Sequence, residues 1–158
     1  MSEPSPITWS DIYLLGYGPM DDTHREFVEL VRPMQTCPDD AFIDHLRAFR
    51  AHAVSHFGQE WQWMEETDFP SRDCHHDEHN AVLNSVEDVL ALLEAEPSAH
   101  NLGVGRSLAA ELVRWFPGHA DYLDSALSHW MCKRTLGGKP IVIRRNISDS
   151  PAPPQEKV

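Results

Sequence analysis

Cysteine is scarce in this chain of 158 residues, and the few thiols are not arranged as a metal-binding or redox pair. Cys37, Cys74 and Cys132 form no CxxC motif, which excludes a zinc ribbon or a thioredoxin-type site and argues against a disulfide scaffold. Unpaired thiols are typical of a reducing compartment, so we expect a cytoplasmic protein.

The chain also lacks long apolar runs. Its first 20 residues carry neither the basic region nor the apolar region of a secretory signal, so we expect no export signal. No apolar segment approaches the roughly 20 residues that a bilayer-spanning helix needs. The sequence therefore predicts no membrane span.

Positive charge is the third feature in short supply. Only 13 Lys and Arg residues face 25 Asp and Glu residues, which gives a net charge of −12. This balance argues against nucleic acids and anionic membranes as partners. The length and the 41% of hydrophobic residues fit one domain with a real core. Ten histidines, however, are many for such a chain and need a reason beyond packing.

Apolar residues recur at steps of three and four over four long segments, which predicts an all-α fold. Prolines and glycines keep residues 1–20 irregular, as an N-terminal arm. We expect residues 21–135 to form an antiparallel up-down four-helix bundle. An extension over 136–158 follows, and its Pro-rich end predicts disorder. The predicted helices cover about 21–36, 39–67, 71–96 and 98–135.

Polar residues interrupt the apolar faces of three predicted helices. His56 and Glu60 lie in the face of the second helix. His79 and His119 lie in those of the third and fourth. A buried carboxylate needs a partner or a metal ion, and imidazole is a common metal ligand. Such breaks in pattern are expected at functional sites, so their coincidence in different helices predicts a shared site.

Spacing within a helix supports this prediction. His56 and Glu60 are four residues apart, so both side chains can reach one ion. His75 and His79 have the same spacing, which favours His75 over its neighbour His76 as a ligand.

His119 and Asp124 are spaced differently. Five residues on an ideal α-helix turn them about 140° apart, so we expect them to touch different parts of a larger, two-metal centre. Taken singly, His24 and His119 are better interpreted as hydrogen-bonded core histidines. Four further histidines are interpreted as flanking or surface residues: His45, His52, His100 and His129.

Four short motifs together resemble the hemerythrins, specifically the single-domain bacterial members. The family pattern runs D-x-x-H, H-F-x-x-E, H-x-x-x-H and W-[LF]-x-x-H-x-x-x-x-D. This chain fills all seven ligand positions in order, over roughly residues 9–135. The matching stretches are DDTH ending at His24, HFGQEWQWM from His56 to Met64, HHDEH ending at His79, and WFPGHADYLD from Trp115 to Asp124.

The resemblance implies a non-haem di-iron protein that binds O₂ reversibly, for storage, delivery or sensing. Its cofactor would be two iron ions joined by an oxo or hydroxo bridge, and O₂ would be its small-molecule partner. It assigns His75, His79 and His119 to one iron. It assigns His24 and His56 to the other, which in the family keeps an open position for O₂.

The remaining two family ligands are carboxylates. Glu60 and Asp124 would bridge both ions, which accounts for the five-residue step from His119 to Asp124. Pro117 departs from the family pattern and predicts a bend or split just before His119. The second Glu of the usual pair is Trp61 here, an outward position. Four apolar residues are candidates for the lining of the O₂ pocket: Phe57, Trp63, Met64 and Trp115.

Two other functions stay open. A di-iron enzyme acting on peroxide, O₂ or nitric oxide could use the same site, although the sequence has no Glu-x-x-His pair of the ferritin-like type. A redox- or oxygen-sensing interaction module could signal through the basic segment 132–145. Spacing alone is also compatible with zinc or manganese, and the prediction of iron rests on the resemblance.

Overall fold

The computed structural model describes residues 2–138 and 140–144. Within these ranges the chain is helical and contains no strand, which confirms the all-α prediction. Five α-helices are numbered in chain order, and a π-helical segment joins the last two into one long rod. They are α1 Gly18–Thr36, α2 Phe42–Glu66, α3 Arg72–Ala95, α4 Ala99–His119 and α5 Ser125–Thr135, with the π segment at Ala120–Asp124.

Neighbouring helices pack antiparallel, and α1 also contacts α4, so that the four rods close into a bundle. Arg47 near the start of α2 pairs with Glu94 near the end of α3. His52 in the middle of α2 lies beside Glu26 of α1. The four-helix bundle is therefore confirmed. Across the described ranges, no helix combines the length and apolar character needed to cross a membrane.

The first helix begins at Gly18 rather than at the predicted Asp21. Pro19 lies in its first turn, where a missing N–H leaves nothing unsatisfied and a fixed φ favours the helix. Asp21 lies in the first turn of α1. Its buried carboxylate accepts hydrogen bonds from the backbone N–H groups of Leu15 (2.8 Å) and Gly16 (3.0 Å). Asp21 thus fastens the N-terminal arm to α1.

The core is built around phenylalanine rings from three helices. Phe27 of α1 stacks on Phe116 of α4 at 4.7 Å and meets Phe49 of α2 edge-on at 5.3 Å. Burial of each such ring contributes about 1.5–3 kcal/mol. Gly105 lets α4 approach α2, because a Cβ atom at this position would stand 2.5 Å from the Phe42 ring.

The fourth rod does not split at Pro117, because α4 continues through it to His119. The helix widens directly afterwards, where the N–H of Ser125 bonds to the carbonyl of Ala120, five residues earlier. This extra residue moves the buried face along by one position. On a continuous α-helix Ala126, seven residues after His119, would share its face, but Ala126 is exposed and Leu127 is buried instead.

Described residues on either side of the helices pack against the bundle or against the arm. Ile7 is buried, and its N–H donates to the Gln35 side chain at 2.9 Å. The non-helical residues 140–144 lie along the arm. Pro140 is so close to Gly16 that a Cβ atom on Gly16 would be 2.6 Å from the proline side chain. The predicted disorder at the end of the extension lies outside the described residues.

Candidate metal centre

Every rod of the bundle contributes metal-ligand side chains to one buried region. All seven residues of the predicted ligand set meet there, and none is more than 5% exposed. Imidazole and carboxylate groups are rarely buried together unless they pair with each other or bind a metal ion. The seven are His24 of α1, His56 and Glu60 of α2, His75 and His79 of α3, His119 of α4, and Asp124 of the π segment.

Five of these residues form a first group of converging donor atoms. Asp124 Oδ1 lies 3.0 Å from His75 Nε2 and 3.2 Å from His119 Nε2. His79 Nε2 is 3.0 Å from His119 Nε2 and 3.3 Å from Glu60 Oε2. With metal–ligand bonds of about 2.1 Å, neighbouring donors on an octahedral ion are about 3.0 Å apart, so this group has the spacing of atoms that share one cation.

A second group consists of His24, His56 and Glu60. His56 Nε2 is 3.5 Å from Glu60 Oε2. His24 Nε2 is 3.0 Å from Asp124 Oδ2, which is the oxygen that does not face the first group. The two carboxylates therefore lie between the groups, and Asp124 turns one oxygen toward each.

Most of these donor atoms are buried without a hydrogen-bond partner among the described residues. Native proteins leave few such atoms, and each one requires an explanation. The unpartnered atoms include both ring nitrogens of His24, His56 and His75 and both carboxylate oxygens of Glu60. Metal ions held by the two groups would satisfy the Nε2 atoms and carboxylate oxygens among them, so the donor set fits a metal.

The π segment brings His119 and Asp124 to the same side of the rod. Because π-helical hydrogen bonds join residues five apart, a five-residue step amounts to about one turn there. The 140° separation expected on an α-helix is thus wrong, and the two side chains contact each other in the first group.

Burial and neighbouring charge set the protonation of the cluster. Burial lowers the pKa of His56 to about 3 and also lowers the pKa of His79, so both rings are neutral at pH 7 and offer a lone pair. Burial raises the pKa of Asp124, but His119 and His24 outweigh it and hold that pKa well below its usual value. Burial raises the pKa of Glu60, and a cation would restore its charge.

Aromatic rings pack directly on the imidazoles. Phe57 stacks on His79 at 3.8 Å, and Trp115 stacks on His119 at 4.2 Å. These two residues were predicted to line the pocket. Trp63, another candidate, meets Tyr17 edge-on at 5.3 Å.

Histidines outside the predicted set do not enter either group. His76 stacks on Trp61 at 4.0 Å, and His52 lies 5.2 Å from the His56 ring. His100 and His129 are exposed, as expected for surface residues. The structure thus brings together the seven predicted residues and leaves the neighbouring histidines aside.

Glu78 is a contact of the site that the sequence analysis missed. Its Oε1 lies 2.9 Å from His119 Nδ1 and accepts a hydrogen bond from Trp115 Nε1, also at 2.9 Å. Glu78 lies off the apolar face of α3, and its partners are on another helix, so periodicity gave no signal. Its position beside His79 was the one available hint.

Fold and site together define a four-helix-bundle protein with a buried metal-binding centre. The hemerythrin HHE cation binding domain matches residues 15–128. A bacteriohemerythrin of Ralstonia nicotianae is 34% identical over 128 residues, which cover 81% of this chain and 90% of that protein. The chain therefore belongs to the hemerythrin family. Solved structures gave no significant match.

Proposed function

We propose that this protein is a non-haem di-iron protein that binds O₂ reversibly at the buried centre. Asp124 carries the proposal, because one carboxylate with an oxygen toward each donor group is suited to joining two ions. Family membership supports the assignment of the ions as iron. A bound pair of ferrous ions would supply the two electrons that O₂ takes up.

The histidine ligands would be divided unequally between the two ions. His75, His79 and His119 belong to the first group, whereas only His24 and His56 belong to the second. Both groups share the two carboxylates. The second ion therefore lacks one protein donor, which leaves a position for an external ligand such as O₂.

The chain also keeps water away from this centre. The stacked rings of Phe57 and Trp115 cover two imidazoles, and Phe116 meets His24 edge-on at 5.4 Å. Exclusion of water limits proton access and favours release of O₂ over its further reduction. The three cysteines are free thiols, which supports a location in a reducing compartment such as the cytoplasm.

Anaerobic loading with Fe(II) followed by exposure to air tests this function. We expect two iron ions per chain and a visible charge-transfer absorption that appears with O₂ and disappears under vacuum. Asp124→Asn should lose at least one ion, whereas Asp121→Asn changes an exposed carboxylate of the same π segment and should behave as the unmodified protein.

Two outcomes would contradict the proposal. Absence of a reversible absorption after full iron loading would exclude O₂ carriage. Rapid consumption of hydrogen peroxide or nitric oxide, together with a short-lived O₂ complex, would favour an enzyme that uses the same ligands.

A further inference from the structure

Consecutive residues of α3 lie beside the two nitrogens of the His119 ring. His79 Nε2 lies 3.0 Å from His119 Nε2, inside the first donor group. Glu78 Oε1 lies 2.9 Å from His119 Nδ1, on the opposite edge of the ring. Since successive side chains on a helix point about 100° apart, one points into the centre and the other reaches around it.

Trp115 completes this arrangement. It is one turn before His119 on α4 and stacks on the imidazole at 4.2 Å, with 25° between the planes. Its Nε1–H donates to the same oxygen of Glu78 at 2.9 Å. The imidazole ring is thus fixed in its plane by stacking and in its rotation by the hydrogen bond at Nδ1.

This hydrogen bond also decides which nitrogen faces the centre. An ionised carboxylate only accepts hydrogen bonds, so the proton between Glu78 and His119 belongs to Nδ1. When this ring binds a metal ion, its lone pair is therefore on Nε2, which points at His79 and Asp124. A carboxylate in this position also makes the ligand nitrogen more basic.

We propose that Glu78 is a positioning residue that, supported by Trp115, fixes the orientation and tautomer of His119 for the metal ion of the first donor group. The proposal rests on the proposed di-iron function. Glu78 itself is separate from the ligand set, since its side chain is 40% exposed and borders a cavity of about 370 Å³ between α3 and α4.

Chelator-driven release of iron from the Fe(II)-loaded protein under nitrogen tests the proposal. Glu78→Ala should release one of the two ions about 10- to 100-fold faster, because loss of an outer carboxylate typically weakens metal binding by that factor. The second ion should stay, since His24 and His56 do not contact Glu78. Glu78→Gln keeps the shape and one acceptor oxygen, so its effect should be intermediate, and it serves if the alanine variant does not fold.

Two controls separate positioning from general loosening of the bundle. Asp77→Asn removes the same charge from an exposed neighbouring position and should match the unmodified protein. Nitrogen NMR of the Zn(II)-loaded protein should show a protonated Nδ1 on His119, and this pattern should be lost or mixed in Glu78→Ala.

Three outcomes would overturn the inference. Equal release rates for Glu78→Ala and Asp77→Asn would show that the carboxylate does not support the ligand. Faster release of both ions together would indicate loosening of the bundle. If the unmodified protein holds no iron, the proposed function fails and this inference fails with it. Normal O₂ binding together with an unchanged rate of iron release in Glu78→Ala would refute the role of Glu78 alone.

Discussion

Deletion of Tyr122 should convert the π segment into ordinary α-helix without dismantling the metal centre. Tyr122 is 81% exposed, so its removal takes away little packing. The deletion shortens the step from His119 to Asp124 from five residues to four. Four residues on an α-helix leave two side chains about 40° apart, the relation that already holds for His56 and Glu60.

The same shift keeps the buried face of α5 in register. After the deletion, Leu127 and Met131 stand seven and eleven residues beyond His119. On a regular α-helix these positions lie within about 20° of the His119 direction. Both residues therefore stay buried, and we expect the metal-free variant to melt at a temperature close to that of the unmodified protein.

Insertion of one alanine after Tyr122 is the matched control. It should turn Asp124 and the rest of α5 by about 100° away from the centre. The insertion variant should lose a bridging carboxylate and bind at most one ion, whereas the deletion variant should keep both. Iron content and thermal melting measure the two effects. If the deletion abolished binding as completely as the insertion, the π segment would not act as one extra residue in an α-helix.

Two further predictions concern single side chains. His75→Ala should remove the ion of the first donor group, whereas His76→Ala should retain it because the His76 ring stacks on Trp61. Iron content measures both effects, and equal loss of iron would contradict the assignment of His75 as the ligand. Gly105→Ala should destabilise the metal-free protein by about 1–3 kcal/mol in urea unfolding, because its Cβ meets the Phe42 ring. Gly103→Ala, with open space around it, should stabilise by up to about 1 kcal/mol, and similar values for both would refute this reading.

The sequence predicted the bundle well wherever the helices are regular. Along α2, Phe42, Leu46 and Phe49 recur at α-helical steps, and all three are fully buried. The start of α1 was missed because Gly18 and Pro19 were taken as breakers, although proline in a first turn favours a helix. The local sequence pattern thus predicted the helices, whereas the positions of their ends depended on contacts such as that of Asp21 with the arm.

The candidate site was predictable for a different reason. Buried donors at i and i+4 broke the apolar pattern, and the family motifs supplied their order. The widened helix that brings His119 and Asp124 to the same side could not be predicted, because periodicity was measured against a regular α-helix. Glu78 escaped because its partners lie on α4, and contacts between helices leave no periodic trace along one chain.

The inequality of the two donor groups has its origin in α1 and α3. The two helices face each other across the bundle, and each turns one face to the centre. On α3, positions four apart hold His75 and His79, whereas the positions four residues before and after His24 hold Met20 and Val28. Both of these are buried, yet neither carries an imidazole or a carboxylate. The open position proposed for O₂ therefore arises from side-chain chemistry on α1 and requires no gap in the packing.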